Sequence, residues 1–173
     1  MTDCIVVGGG LIGMLSARML HDQGLDVTLL DRQEPGQEAS WAGGGILSPL
    51  YPWRFPDPVT KLASLTQAST TEAAAQTFHA AAARLVPALV DLPIEKHWAG
   101  LRPGSPQGIP YIGPHPEVEG LFVNAGHYRN GVVMSIGACR LLTDLIMGQS
   151  PICDPSPYRI DRGDFPVRRH NAN

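Results

Sequence analysis

The stretch VVGGGLIG, residues 6–13, decides how the chain is read. It starts inside a short apolar run, Cys4-Ile5-Val6-Val7, whose length and β-branched content suit a strand buried on both faces. It ends inside residues 11–22, where Leu11, Met14, Leu15 and Met19 recur at helical spacing and Gly24 offers a cap. Residues 25–30, LDVTLL, follow as a second strand closed by Asp31. Strand, helix, strand in this order implies a crossover, and so parallel pairing.

The three spaced glycines have separate jobs in such a unit. Gly8 permits the tight turn out of the strand, and Gly10 lets backbone N–H groups approach a pyrophosphate with no side chain between. Gly13 lets the helix lie close to the strand. Leu11 and Ile12 open the helix, whose N-terminus carries partial positive charge. Asp31, about 20 residues on, is placed to accept the hydroxyls of a ribose, and its charge disfavours a 2′-phosphate. The fingerprint leaves FAD and NAD both open, because each presents an ADP half.

Composition bounds the rest. A chain of 173 residues with 43% hydrophobic content suits one ordinary soluble domain. A net charge of −3 argues against a nucleic-acid or anionic-membrane partner. Cys4, Cys139 and Cys153 are widely spaced and odd in number, which fits reduced thiols in a cytoplasmic protein. No apolar run approaches the ~18 residues of a membrane span. The first apolar stretch has no basic leader and reads as a strand, not a signal peptide. His21, His79 and His97 sit at no metal-ligand spacing, and no metal site or Ser-His-Asp arrangement is expected.

Further along, residues 33–59 are rich in Gly, Pro and Ser and read as a long ordered loop with one helical turn. Residues 69–92 read as a helix with a capping box at Ser69 and Glu72. Phe78, Ala82, Leu85 and Leu89 lie on one face, and Pro87 stops or kinks it. Residues 94–101, 109–112 and 121–125 read as strands between turn signals, and residues 132–148 as a last helix. Trp98 and Tyr128 read as core aromatics. The tail from Pro151 wraps the surface and frays at its end.

Three further stretches, EASWAGGGILSP (38–49), WAGLRPGSPQGIPYIG (98–113) and GHYRNGVV (126–133), occur in that order after the glycine turn. Together the four motifs resemble the FAD-dependent amino-acid oxidases of the D-amino-acid oxidase superfamily, the glycine oxidases of thiamine biosynthesis above all. The resemblance runs from about residue 3 to about residue 162, but members of that family are roughly twice as long. Their central portion, with most of the substrate-binding sheet and a second strand that contacts adenosine, would fall between Ala63 and Thr71. The implied fold is α/β: a Rossmann-like FAD-binding domain of the GR2 type with its substrate domain largely absent. Residues 1–62 and 102–162 would form the FAD-binding domain, 63–101 a remnant of the substrate domain, and 163–173 a tail.

The resemblance also implies roles. Gly8, Gly10, Leu11, Ile12 and Gly13 would meet the pyrophosphate, and Asp31 and Arg32 the adenosine. Ala39, Ser40, Gly44, Gly45 and Ile46 would approach phosphates and flavin. His127, Tyr128, Arg129, Asn130, Gly131, Val132 and Val133 would lie at the flavin's pyrimidine edge, with the following helix aiming its positive end there. Arg102 and Arg129 would clamp a substrate carboxylate. No protein acid or base is strictly required if the amine arrives deprotonated, so no residue is assigned as catalytic. The implied activity is oxidation of glycine or another small amino acid or amine, with O2 as electron acceptor. The other reading is a scaffold that binds FAD weakly or not at all. In either case the absent sheet would leave apolar surface uncovered, which favours self-association or a complementing partner chain.

Overall fold

The structure is a computed structural model, and it describes residues 1–43 and 70–163. These fall into two compact units, one of residues 1–43 with 102–163 and one of residues 70–101.

In the first unit the strand–helix–strand order is as the sequence dictates. Strand β1 (Cys4–Val7) leads through the glycine turn into helix α1 (Leu11–Asp22) and on to β2 (Val27–Leu30). The two strands pair in parallel, with Cys4 opposite Val27 and Val7 opposite Leu30. A short helix, α2 (Ala39–Ala42), supplies the one helical turn expected in the loop after β2. The hairpin β3 (Tyr111–Pro114) and β4 (Phe122–Ala125) is antiparallel. Helix α4 (Gly131–Ile146) follows and packs against α1. The chain thus forms the α/β arrangement of a partial Rossmann-like domain, with its described strands in two separate two-stranded sheets.

The core lies between the hairpin and α4. Ile112, Ala138, Leu141 and Leu142 are buried together, and Phe122, Leu145, Ile146 and Tyr158 pack around them. A small polar knot ties α1 to α4. Ser16 Oγ donates to Cys139 Sγ at 3.3 Å, and Cys139 Sγ donates to the Ile12 carbonyl at 3.4 Å. Asn124 Nδ2 of β4 reaches both Ser16 Oγ and Cys139 Sγ. Burial pushes the Cys139 thiol up, which keeps it a donor. The tail is held as well as wrapped. Arg162 donates to the carbonyls of Ile109, Pro110 and Pro157 and stacks over the Tyr111 ring at 4.1 Å.

Several expectations need correction. β1 is not buried on both faces: Ile5 is 59% and Val7 82% exposed, because residues two apart share one face of the strand and no described element covers that face. β1 also has β2 as its only pairing partner among the described residues, so the first sheet is an edge on both sides. The third strand begins two residues later than expected, at Tyr111.

In the second unit, α3 (Glu72–Leu85) starts at an N-cap of Thr71, whose hydroxyl accepts from the Ala74 amide at 3.2 Å. Thr71 takes the place expected of Ser69, which lies outside the described residues. The helix stops at Leu85, not Leu92, and Pro87 opens a separate 3-10 turn, Pro87–Leu89. Phe78 is 69% exposed, so the face drawn through Phe78 and Leu85 is not the buried one; Ala75 is. Residues 94–101 form no strand, and Trp98 is exposed. Apolar content alone cannot make a strand there without a neighbour to pair with.

Candidate functional site

The glycine turn is built by backbone contact. Gly8 has φ of +110°, a conformation that side chains disfavour, and its amide donates to the Leu30 carbonyl at 2.8 Å. A Cβ on Gly13 would lie 1.7 Å from the Gly8 carbonyl oxygen. The helix therefore sits against the turn as closely as backbone allows. Gly9, which carried no role in the sequence reading, proves equally constrained. A Cβ there would lie 2.9 Å from both Asp31 Oδ2 and Pro35 Cβ. The signal was present as the middle glycine of the GGG run, but the spaced fingerprint counts that position as free.

Asp31 ends β2 where it was expected. Its Oδ1 accepts from the Gln33 amide at 3.0 Å and its Oδ2 from the Gly9 amide at 2.5 Å. These amides, Gln33's first, hold the carboxyl below its ordinary range. An ionised carboxylate has about four acceptor sites, so the group keeps capacity for a diol. Arg32 instead pairs with Glu38.

Ser40 Oγ accepts from the Leu11 amide at 2.9 Å, and a Cβ on Gly10 would meet that same oxygen at 3.2 Å. A hydroxyl oxygen thus sits at the helix N-terminus, where a phosphate oxygen would accept the same bond. This is the observation by which the residues fit a dinucleotide.

The other wall comes from the C-terminal half. One cavity of about 460 Å³ is bordered by Gly8, Gly10, Leu11, Ile12 and Gly13, by Asp31, Ala39 and Ser40, and by Asn124, Ala125, Gly126 and His127. The structure therefore brings the glycine turn and the start of the GHYRNG segment to one cleft. Tyr128 adopts φ of +47°, an uncommon backbone conformation for a residue with a side chain. The Asn130 amide closes the turn onto the His127 carbonyl at 3.0 Å, and α4 begins at Gly131. The Tyr128 amide donates to the Pro103 carbonyl at 2.8 Å, which sets the segments of Arg102 and Arg129 side by side. Both arginines are exposed, and Arg129 lies 5.3 Å from the Tyr128 ring centre. Tyr128 is half-buried, and Val132 and Val133 are exposed at the start of α4. Neither Arg102 nor Arg32 nor residues 128–133 border the cavity. Gly44, Gly45 and Ile46 lie outside the described residues.

His127 is 4% exposed, and its Nε2 has no partner among the described residues. Burial pushes its pKa down, because the low-dielectric surroundings penalise the cation. The sign follows. As pH falls below about 6.5 the unfolded chain takes up a proton at this ring more readily than the folded protein does, so stability falls as pH drops through that range. We expect the urea midpoint of the protein to fall more between pH 7.5 and 5.5 than that of His127→Gln. Equal losses would show that the ring is not held neutral.

Residues 3–72 and 60–145 match the sequence profile of the family described as FAD dependent oxidoreductase (DAO). The chain belongs to this family. Among curated proteins, glycine oxidase of Pseudomonas aeruginosa is 57% identical over 88 residues, which are 51% of this chain and 24% of that protein. Glycine oxidase of Bacillus subtilis is 42% identical over 79 residues, 45% of this chain and 21% of that one. The crystal structure of glycine oxidase from Geobacillus kaustophilus superposes with a TM-score of 0.53 at 35% identity, over 57% of this chain and 26% of that one. L-amino acid deaminase from Proteus vulgaris shares the fold, with a TM-score of 0.51 at 18% identity over 91% of this chain and 36% of that one. The matches span about a quarter of the glycine oxidases' length. No helix among the described residues is long and apolar enough to cross a membrane.

Proposed function

We propose that the chain is the FAD-binding portion of an oxidase for glycine or a comparably small amino acid or amine. The observation that carries this reading is the single cleft bordered by both the glycine turn and the Asn124–His127 segment. FAD, when bound, supplies the two-electron acceptor that turns the amine into an imine, for hydrolysis to the oxo acid and ammonia, with O2 reduced to hydrogen peroxide.

The chain's own residues bind and orient. Gly8, Gly10, Leu11, Ile12 and Gly13 present backbone to the pyrophosphate, and Ser40 and Ala39 border it. Asp31 accepts from the ribose and Arg32 flanks the adenosine. Gly44, Gly45, Ile46 and residues His127 to Val133 serve the flavin, and the dipole of α4 favours negative charge at its N-terminus. Arg102 and Arg129, on adjoining segments, hold the substrate carboxylate. In this reading residues 1–62 and 102–162 bind FAD, and 63–101 belong to the substrate side. The protein works in the cytoplasm, and a role in thiamine biosynthesis follows from the same likeness.

A second reading is favoured by the quarter-length match and by the exposed Ile5 and Val7. In it the chain is a flavin-binding scaffold that needs another copy or a complementing chain before it turns over substrate.

Flavin titration separates the readings. The first expects saturable FAD binding with a perturbed visible spectrum, bleaching by glycine without oxygen, and peroxide with it. Binding without bleaching or peroxide supports the scaffold. A chain that leaves FAD free in solution at millimolar concentration refutes the oxidase reading and leaves only a scaffold that does not hold flavin.

A further inference from the structure

Arg102 and Arg129 are both exposed, and neither pairs with a carboxylate among the described residues. Neither borders the cavity at the glycine turn. Two guanidiniums on adjoining segments repel each other, and exposed arginine side chains are otherwise free to swing apart. A carboxylate clamp needs them held at one spacing. Tyr128 touches both segments.

Its amide donates to the carbonyl of Pro103, the residue after Arg102, at 2.8 Å. Its ring runs along the same segment, since a Cβ on Gly104 would meet Tyr128 Cδ2 at 3.6 Å, in van der Waals contact. The guanidinium carbon of Arg129 stands over that ring, 5.3 Å from its centre. Neighbouring side chains on an extended chain point apart. These two come together where the backbone turns left-handed, at φ of +47° for Tyr128. Glycine and asparagine enter that region more readily than tyrosine, so a tyrosine kept there points to a use for its ring. An aromatic face attracts a cation without neutralising it. The N–H fork of Arg129 therefore stays open to an anion, where an acidic partner would have occupied it.

We propose that Tyr128 is the positioning residue of the substrate's carboxylate clamp. Its backbone fixes the segment of Arg102 and its ring seats Arg129, so that both guanidiniums meet one small carboxylate. The aromatic face does this, not the phenolic hydroxyl. Tyr128 is half-buried and does not border the nucleotide cavity, which leaves its ring to the substrate side. The anion's identity, the carboxylate of glycine or of a comparably small amino acid, rests on the oxidase reading; the seating of the two arginines does not.

The test is an acetate titration of the full chain, followed by nitrogen-labelled NMR at the side-chain Nε–H groups of Arg102 and Arg129. In the wild type both signals should shift along one curve with a shared Kd. Tyr128→Phe should keep that Kd within about twofold, because the aromatic face remains. Tyr128→Leu should abolish the shift at Arg129 while Arg102 still shifts, with acetate binding weakened by about 10-fold or more. A ring that served stability alone would weaken both arginines alike. If the leucine variant does not fold, the wild-type titration decides. Separate curves or a single responding arginine in the wild type would overturn the proposal. So would a leucine variant that behaves as wild type or loses both shifts equally, or a phenylalanine variant that behaves as the leucine one. FAD absorbance read on the same samples is independent, since this acetate binding needs no flavin. A chain that clamps acetate but leaves FAD free sinks the oxidase reading and not the clamp.

Discussion

Replacing Gly13 by alanine is expected to unfold the nucleotide end of the protein, not merely to weaken a ligand. The added Cβ would lie 1.7 Å from the Gly8 carbonyl oxygen and 2.9 Å from its carbon. Both are backbone atoms, so no rotamer change relieves the clash. The helix must lift from β1, and with it Ser16 and the Ile12 carbonyl that meet Cys139. Overpacking a well-filled core costs ~1–3 kcal/mol, and a clash with main chain should lie at or above the top of that range, about 3 kcal/mol. Gly10→Ala is the contrast. Its nearest neighbour is Ser40 Oγ at 3.2 Å, a side-chain atom that can turn away. That variant should keep its urea midpoint within about 0.5 kcal/mol and lose affinity for FAD. Equal destabilisation by the two substitutions would show that the helix is not held by the approach at Gly13.

The two glycines also show what the sequence could reveal. Gly13 and Gly10 were legible because the spacing of the fingerprint encodes local geometry: strand, turn and helix follow one another within a few residues. Asp31 was legible for the same reason. The elements of the second half depend on distant partners. Residues 94–101 have the apolar content of a strand, yet no neighbour among the described residues pairs with them. β1 has the composition of a doubly buried strand, and Ile5 and Val7 are exposed. In both places the sequence specifies an environment that the described residues do not supply.

Side-chain cross-links were hidden for a different reason. Arg162, Asp144 and the Ser16–Cys139 contact join residues far apart in sequence or sit on the polar side of a pattern scored for apolar residues. Periodicity locates a helix's buried face but does not say which polar group that face admits. His127 was legible only as part of a motif. Its burial, and hence its neutral ring, followed from the way the loop folds back before α4.

Asp144→Ala should cost about 2–3 kcal/mol, a larger effect than its place among helical polar residues suggests. The residue is 0% exposed near the end of α4. Its Oδ1 accepts from Arg140 Nε at 2.6 Å, one turn earlier, and its Oδ2 accepts from the Ile152 amide at 3.2 Å. The carboxylate thus pins the chain leaving α4 back onto the helix. Alanine leaves the Ile152 amide without its acceptor and opens a small void beside Leu141 and Leu142, the centre of the core. Arg140 is half-exposed and returns to water, which keeps the cost below that of breaking a fully buried pair. Asparagine retains an acceptor oxygen for Ile152 and about the same volume, so Asp144→Asn should lose only about 1 kcal/mol. Urea unfolding of the two variants checks the ordering, and limited proteolysis checks its cause. Cleavage in the segment after Gly148 should accelerate in the alanine variant before the rest of the molecule unfolds. Unchanged cleavage there, with the same loss of stability, would place the effect in the core and not in the pinned tail.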